Sequence, residues 1–366
     1  MPNKVSLYAN VGPELTHYDV DVAAATLARR GTVSLPANVQ YAWPHASRRF
    51  LYVATSDSAS GMGAAGNAHH VSALAIDPAT GALRPHGAPI RLPTRPIHMA
   101  TDMPSQFVLV AFNNPSAIRV YRINSDATLG DEVAQPGAID PGIFAHQVRA
   151  APDNRQVILV TRGHDPAGGK PDEPGALEVF DFSNGVLSNE VSIAPDGGYG
   201  FGPRHLDFHP SKPWVYVSLE RQNALDLFEL SGGALSPTPR FRKPTLGRPA
   251  AGRQAVGTVH VHPNGRAVYV ANRAANAEGE NSLAVFAIDQ STGEPNLIQH
   301  IDTHGVHPRT FHIDPSGRLM AVAHITGAVL SLFRIADDGR LEFARAYDID
   351  VGQRTMWWMG MVEHAA

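Results

Sequence analysis

The 366-residue sequence contains no cysteine, which excludes disulfide bonds, thiolate nucleophiles and cysteine-ligated metals. Positive charge is not in excess, because the formal net charge is −4, so a nucleic-acid or membrane-surface binder is not expected. No apolar run approaches the roughly 20 residues of a membrane-spanning helix, and the first residues show no signal-peptide pattern. We therefore predict a cytoplasmic protein, monomeric or weakly oligomeric, with no nucleic-acid or membrane partner.

The chain repeats one unit that is centred on a turn proline or its equivalent. Clear copies are "GPRHLDFHPSKPWVYVSLE" (202–220), "TVHVHPNGRAVYVAN" (258–272) and "RTFHIDPSGRLMAVAH" (309–324). Each has an apolar alternating run, a turn rich in Pro, Asn, Asp and Gly, and a second apolar run, and further runs follow. Alternation of period two with such turns predicts antiparallel strands. Four strands in each unit of about 50 residues are typical of propeller blades.

The number of blades follows from the anchors at positions 46, 104, 152, 210, 263 and 315. These give six blades. The N-terminal run from Val5 to about Val33 adds three strands of a seventh blade, and the C-terminal "VGQRTMWWMGMV" adds its inner strand. This closure removes exposed sheet edges. We predict an all-β fold over residues 1–366: one seven-bladed β-propeller domain with four-stranded antiparallel blades and negligible helix.

Two columns of the repeat are polar, although the strands between them are apolar. The residues six before each anchor, with the matching C-terminal residue, are Gln40, His98, His146, Arg204, Gly257, Arg309 and Arg354. The residues ten after it are Ser56, Asn114, Arg162, Glu220, Arg273 and Ile325. The start of the first strand and the end of the second meet at one edge of a hairpin. Both columns are therefore predicted to face one mouth of the central channel, where arginines would bind an anionic ligand.

Long loops are predicted at the same mouth, between the second and third strands of three blades. They span residues 57–70, 163–176 and 274–281. Long irregular loops in compact domains tend to be lids or ligand-binding segments. Turns on the opposite face are mostly tight, so the mouth is the predicted functional face.

The units at 202–220 and 307–324, together with "FAHQVRAAPDNRQVILV", resemble the repeats of the seven-bladed lactonase family. This family includes propeller-type 6-phosphogluconolactonases and fungal carboxymuconate lactonizing enzymes. The resemblance implies an active site at the channel mouth without a metal or other cofactor. It identifies His146, Arg204, Glu220 and Arg273 as catalytic, and these residues already stand in the two columns.

The resemblance suggests hydrolysis of a small anionic lactone, in which Glu220 or His146 is the base and arginines bind the substrate and the oxyanion. The predicted substrate-binding residues are Arg162, His98, His205, Arg309, Arg354 and Asn114. A cycloisomerase that interconverts a muconate and its lactone is the first alternative, because both reactions relate an anionic open chain to a lactone. A non-catalytic binding propeller is the second.

Other interpretations of these residues are structural. Glu220 would then balance the arginine charge, Arg309 and Arg354 would pair with blade aspartates, and His98 and His205 would be buried structural histidines. His209, His262 and His312 are interpreted as hydrogen-bonding turn residues. The pair His69–His70 lacks a compact ligand motif, so no metal site is predicted.

Overall fold

The alternating runs form seven antiparallel sheets arranged as the blades of a propeller. The computed structural model describes residues 4–58, 66–167, 169, 171–250, 252–326, 329–349 and 355–364. Within these residues the only helical segment is a 3-10 turn at Pro195–Gly198. None of the described residues belongs to a helix with the length and hydrophobicity that a membrane span would need. The predicted all-β propeller with four-stranded blades is confirmed.

The strands follow the order of the blades along the chain. The N-terminal strands are β1 (Lys4–Val11), β2 (Glu14–Asp21) and β3 (Thr26–Ser34). Blade 1 contains β4 (Asn38–Pro44), β5 (Phe50–Ser56), β6 (His69–Ile76), β7 (Leu83–Pro85) and β8 (Ile90–Arg91). Blade 2 contains β9 (Pro96–Thr101), β10 (Phe107–Asn113), β11 (Ser116–Ile123) and β12 (Leu129–Glu132). Blade 3 contains β13 (Ala145–Ala150), β14 (Gln156–Thr161), β15 (Ala176–Ser183) and β16 (Val186–Ile193).

The second half of the chain continues the series. Blade 4 contains β17 (Pro203–Phe208), β18 (Trp214–Leu219), β19 (Ala224–Ser231), β20 (Ala234–Leu235) and β21 (Phe241–Pro244). Blade 5 contains β22 (Gln254–Val261), β23 (Ala267–Ala274), β24 (Ser282–Ile288) and β25 (Pro295–Asp302). Blade 6 contains β26 (Val306–Ile313), β27 (Leu319–Thr326), β28 (Val329–Ile335) and β29 (Leu341–Asp348). The last strand is β30 (Met359–His364).

Blade 7 joins the two ends of the chain, as predicted. Its strand order is β3-β2-β1-β30, and β30 runs antiparallel to β1 from the pair Lys4 and His364 to the pair Ala9 and Met359. The side chain of Asn10 accepts the backbone N–H groups of Trp357 and Trp358 at 2.9 and 2.7 Å. In blades 1 and 4 the outermost strand is split into two short pieces that pair with the same neighbour.

The core lies between the blades. Seven apolar clusters fill the seven spaces between neighbouring sheets, each built from the facing sides of two blades. The second strands are almost fully buried, because they have a blade on either side. First strands of most neighbouring blades contact one another and line the central channel.

Turn histidines connect consecutive blades. His209 accepts the backbone N–H groups of Ser211 and Lys212 through Nδ1, and its Nε2 donates to the carbonyl of Gly265 at 2.9 Å. His262 makes the same link to Gly317, at 2.7 Å. The prediction that these two histidines are turn residues is confirmed.

His312 does not share this role, so that prediction is wrong. It lies within β26, where its ring is 5.9 Å from the ring of His260, and Asp314 makes the turn hydrogen bonds instead. Asp314 occupies the place that His209 and His262 take in their turns, and its carboxylate accepts the same kind of backbone N–H groups.

Candidate active site

A buried carboxylate bridges three arginines from three consecutive blades. The Oε1 atom of Glu220 lies 3.2 Å from Nε of Arg162, and its Oε2 atom lies 2.8 Å from Nε of Arg204 and 2.9 Å from Nη2 of Arg273. The side chain of Arg204 is 1% exposed and that of Glu220 is 11% exposed. The cluster therefore holds one negative and three positive charges away from bulk water.

The arginines set the ionisation of this carboxylate. Burial alone would raise the pKa of Glu220, but the charges of Arg273, Arg204 and Arg162 lower it to about 2. Glu220 is therefore a carboxylate at neutral pH and a weak proton acceptor. Its charge holds the three guanidinium groups close together in spite of their mutual repulsion.

The first strands direct these side chains by means of β-bulges. Pairing in β17 passes from Pro203 to His205 and leaves Arg204 as the extra residue. The same shift leaves His146 unpaired in β13, and Arg309 unpaired in β26. A bulge adds one residue to a strand and turns its side chain away from the regular alternation. Repeated at the channel mouth, it brings one side chain from each of these blades to the site.

In one blade the two columns, defined six residues before and ten residues after each anchor, do not select the equivalent positions. Each of the hairpin turns has five residues, and the anchor is the second of them except in blade 2, where Pro104 is the third. The pairing shift in β9 therefore leaves Ile97 as the bulge residue, and His98 lies one step further along the strand. By the same shift, Asn113 corresponds to Glu220. Asn114 itself is exposed in the following turn, where its carbonyl accepts the Thr94 hydroxyl at 3.2 Å.

Three histidines lie beside the arginine cluster. The ring centroid of His205 is 5.2 Å from that of His146 and 6.0 Å from that of His98, and the ring of Tyr41 is 3.9 Å from His98. Burial, with the charge of Arg204 among the further causes, lowers the pKa of all three histidines well below the usual value. All three are thus neutral at pH 7. Among the described residues, Nδ1 of His146 and Nε2 of His98 have no hydrogen-bond partner.

His307, which belongs to neither repeat column and was not predicted, contacts the cluster from blade 6. Its Nε2 lies 3.0 Å from Nη1 of Arg273. The guanidinium can only donate, so Nε2 accepts and the imidazole is neutral. Burial and the nearby Arg273 charge lower the pKa of His307 to about 3. Its position two residues before Arg309, within "HGVHPRT", was the available signal.

Two further described arginines lie near the cluster, one in blade 6 and one just before the first strand of blade 2. The guanidinium carbon of Arg309 lies 3.9 Å from the ring centroid of Trp357. Arg95, which was not predicted either, is buried just before β9, and its Nε donates to Oε1 of Gln40 at 2.8 Å. Arg354 lies outside the described residues.

The loop at 163–176 is fixed to the rim of the mouth by Arg221, the residue after Glu220. Asp165 lies 2.6 Å from Nε of Arg221, and Asp172 lies 2.5 Å from its Nη2. Asp165 also contacts Arg162 at 2.7 Å. The described part of this loop is therefore connected through ion pairs to the cluster around Glu220. Most of the glycine-rich part of the 57–70 loop, residues 59–65, lies outside the described residues.

Deeper in the channel a separate ion pair links blades 3 and 4. Asp207 lies 3.1 Å from Arg149 and 3.4 Å from His260, and it accepts the backbone N–H of Val261. The guanidinium of Arg149 packs over Trp43 at 4.9 Å. Within the described residues, no group of three or more histidine and acidic side chains is arranged to hold a metal ion.

Comparison with known proteins identifies the family. The sequence profile described as lactonase, 7-bladed β-propeller matches residues 5–358. A curated 6-phosphogluconolactonase from Bacillus subtilis (strain 168) is 28% identical over 353 residues, which cover 92% of each chain. Another, from Enterobacter sp. (strain 638), is 26% identical over 327 residues and 89% of each chain.

Solved structures agree with the fold. The periplasmic gluconolactonase PpgL of Pseudomonas aeruginosa superposes with a TM-score of 0.78 at 19% identity, covering 98% of this chain and 99% of that one. A 6-phosphogluconolactonase-like structure from Bacteroides uniformis, described as putative, gives 0.78 at 21% identity over 99% and 100%. At these identities the likeness establishes the architecture alone. Because the family profile spans nearly the whole sequence, the chain belongs to the seven-bladed β-propeller lactonase family.

Proposed function

We propose that the protein hydrolyses a lactone bearing an anionic group at the channel mouth, with His146 as the general base. The observation that carries this proposal is the neutral, buried imidazole of His146 beside three arginines that one carboxylate bridges. Membership of the lactonase family supports a lactone as the substrate. The curated relatives named 6-phosphogluconolactonase support phosphate as its anionic group.

In the proposed reaction His146 removes a proton from water as the water oxygen attacks the lactone carbonyl. The guanidinium groups of Arg204 and Arg273 stabilise the negative charge that develops on the carbonyl oxygen. The ring C–O bond then breaks, and the leaving alkoxide takes the proton from His146, which gives the hydroxy acid. Glu220 is too weak a base for the first step, so its role is to hold the arginines in position.

The charge of the substrate contributes to this chemistry. Burial and the charges of Arg204, Arg309 and Arg273 lower the pKa of His146, which weakens it as a base in the free enzyme. A bound anion offsets part of that positive charge, because opposite charges nearby favour the protonated imidazole. The imidazole therefore becomes a stronger base when an anionic substrate is bound. A neutral lactone lacks this effect, which favours anionic substrates.

The test is a turnover screen over a sugar lactone, its 6-phosphate and a muconolactone, each with and without a chelator. The wild type is expected to open at least the phosphorylated lactone. The His146→Gln variant should retain the fold and lose about 10²- to 10⁴-fold in kcat, as expected for loss of a general base. His86→Gln is the matched control, because His86 packs against Phe50 and contacts the Asp126 carbonyl away from the cluster.

The screen also separates the alternatives. Consumption of a cis,cis-muconate without turnover of any lactone by hydrolysis would replace the hydrolase with a cycloisomerase. Chelator-sensitive turnover would contradict a reaction that relies on the side chains alone. The cytoplasmic location and the monomeric or weakly oligomeric state stay predictions, which cell fractionation and light scattering would test.

A further inference from the structure

The mouth of the channel has two differently charged halves. In blades 3 to 5, Glu220 supplies a negative charge to Arg162, Arg204 and Arg273. In the other half, Arg95 and Arg309 have no carboxylate of a described residue within ion-pair distance. The positive charges of Arg95, which is buried, and of Arg309, which is half-buried, are therefore uncompensated within the part of the chain that the structure describes.

Uncompensated charge of this kind is costly, because a buried cation loses its hydration. Burial lowers the pKa of Arg95, and burial together with the charges of Arg204, Arg273 and Arg95 lowers that of Arg309. The charge of Arg95 thus disfavours the charged form of Arg309. A bound anion would relieve this repulsion, whereas hydrophobic packing cannot.

The surroundings orient both side chains. The side-chain oxygen of Gln40 accepts a hydrogen bond from Nε of Arg95, so the two terminal nitrogens of the guanidinium are left for other acceptors. The guanidinium of Arg309 stacks on Trp357, which contacts its face and leaves the N–H groups at its edge available. Guanidinium edges fixed in this way match the oxygens of a phosphate or carboxylate.

We propose that Arg95 and Arg309, supported by Gln40 and Trp357, form a subsite for the anionic group of the substrate, apart from the reacting lactone ring. This inference rests on the proposed function, and it identifies the substrate class as lactones with a phosphate or carboxylate away from the ring carbonyl. The lactone then lies over His146 and Arg204, while its anionic group reaches across the channel to blades 6, 7, 1 and 2. Arg95 and Arg309 determine specificity and take no part in the proton transfers.

Kinetics on matched substrates test the subsite. We would measure kcat/KM of the wild type, Arg95→Gln and Arg309→Gln on glucono-1,5-lactone, its 6-phosphate and a carboxymethyl butenolide. The two variants should lose about 10- to 100-fold on the anionic lactone that the enzyme uses, the range for loss of a charged hydrogen bond. On the neutral sugar lactone Arg95→Gln should change by less than about threefold. Arg309→Gln should show no loss there, because removal of its charge also strengthens His146 as a base. Which anionic lactone shows the loss distinguishes phosphate from carboxylate.

Arg266→Gln is the control, since Arg266 lies exposed in the turn between β22 and β23, at the end of the hairpin away from the mouth. It should leave all three substrates unchanged, and thermal unfolding should show that every variant folds. Equal losses on charged and neutral lactones would overturn the subsite, because Arg95 and Arg309 would then not recognise the anionic group of the substrate. Unchanged kinetics in both variants would overturn it as well.

Failure of the proposed function would be seen separately. If the wild type opens no lactone, the subsite is tested by calorimetry with 6-phosphogluconate, gluconate and inorganic phosphate. Binding of 6-phosphogluconate or inorganic phosphate that is lost in Arg95→Gln and Arg309→Gln, but kept in Arg266→Gln, supports the subsite without catalysis. Gluconate is the reference, because its only anionic group derives from the lactone carbonyl. Absence of binding, or binding that the variants leave intact, overturns it.

Discussion

Oε2 of Glu220 and Nε of Arg204 lie 2.8 Å apart, and the arginine side chain is 1% exposed. In sequence the two residues are 16 positions apart, but Arg204 lies at the start of β17 and Glu220 directly after β18, which meet at the open end of one hairpin. The bulge at Arg204 and the end of β18 bring them together. This ion pair lies at the centre of the cluster of three arginines around Glu220.

Replacement of Glu220 by Gln removes the charge that holds three buried arginines together. We expect a loss of about 10² to 10³ in kcat/KM, because the oxyanion donors lose their alignment. The free energy of unfolding should fall by about 3 kcal/mol or more, as when one partner of a buried pair is removed. Kinetics and thermal unfolding measure the two effects. Glu342→Gln on the exposed face of β29 is the control, and activity within threefold of wild type in Glu220→Gln would contradict the assigned role.

The pH dependence of catalysis reports on His146. Because its pKa lies well below 6.5, the base stays neutral as the pH falls from 7.5 to 6. An ordinary histidine would be roughly three-quarters protonated at pH 6. We therefore expect kcat/KM to stay nearly constant over this range, measured by initial rates with spontaneous lactone opening subtracted. A proportional fall centred near pH 6.5 would show that His146 is unperturbed or that another group is the base.

Acid should destabilise the fold. His98, His146 and His205 are neutral in the folded protein with pKa values well below 6.5, and those of His312 and His324 are lowered to about 4. The unfolded chain binds protons at these residues near pH 6.5, so folding is weakened as the pH falls from about 6.5 towards 4. Each such histidine contributes about 1.4 kcal/mol per pH unit within this window.

The measurement is the unfolding midpoint in urea at several values between pH 7.5 and 5. Glu178 opposes the trend, because burial raises its pKa to about 7 and its protonated form favours the fold at low pH. Burial also raises the pKa values of Asp102, Glu190 and Asp226. These four acids are outnumbered by six histidines, because the pKa of His307 is lowered as well, so the net effect should be loss of stability. An unfolding midpoint that stays constant or rises on acidification would contradict the conclusion that these buried histidines are neutral in the folded protein.

The links between turns predict a difference between two glycines. A Cβ at Gly265 would lie 2.5 Å from Nε2 of His209, whereas a Cβ at Gly232 would meet nothing within 4 Å. Both glycines have positive φ, 72° and 61°, so alanine would be strained in its backbone conformation at either position. Gly265→Ala should therefore lower the free energy of unfolding by about 1–3 kcal/mol more than Gly232→Ala. Urea unfolding measures this, and equal losses would show that the contact with His209 is unimportant.

The fold was predictable because the repeat carries its own periodicity. Alternating apolar runs and five-residue turns recur often enough that the blade number and the closure of the ring follow from counting. The cluster of His146, Arg204, Arg273 and Glu220 was predictable for the same reason, since each holds one place in the repeat. The count went wrong in blade 2, where Pro104 is the third residue of its turn instead of the second, and this displaced His98 and Asn114 by one position.

Residues outside the repeat columns escaped prediction. Arg95 reaches the mouth from the segment before β9, and Trp357 from the segment before β30. His307 approaches Arg273 from the neighbouring blade, with a backbone φ of 63° that alternation does not anticipate. Contacts between blades depend on how the blades are arranged in the ring. The repeat pattern of the sequence does not specify that arrangement, so it could not predict these contacts.

The pairing of β30 with β1 has a consequence for biosynthesis. Six blades contain only consecutive strands and can form in turn as the chain leaves the ribosome. Blade 7 must wait for Met359–His364, and until then the edge of β1 offers unpaired backbone groups to other strands. Trp357, which stacks on Arg309, arrives with the same segment. Synthesis of this one segment therefore both pairs the free edge of β1 and adds Trp357 to the proposed subsite.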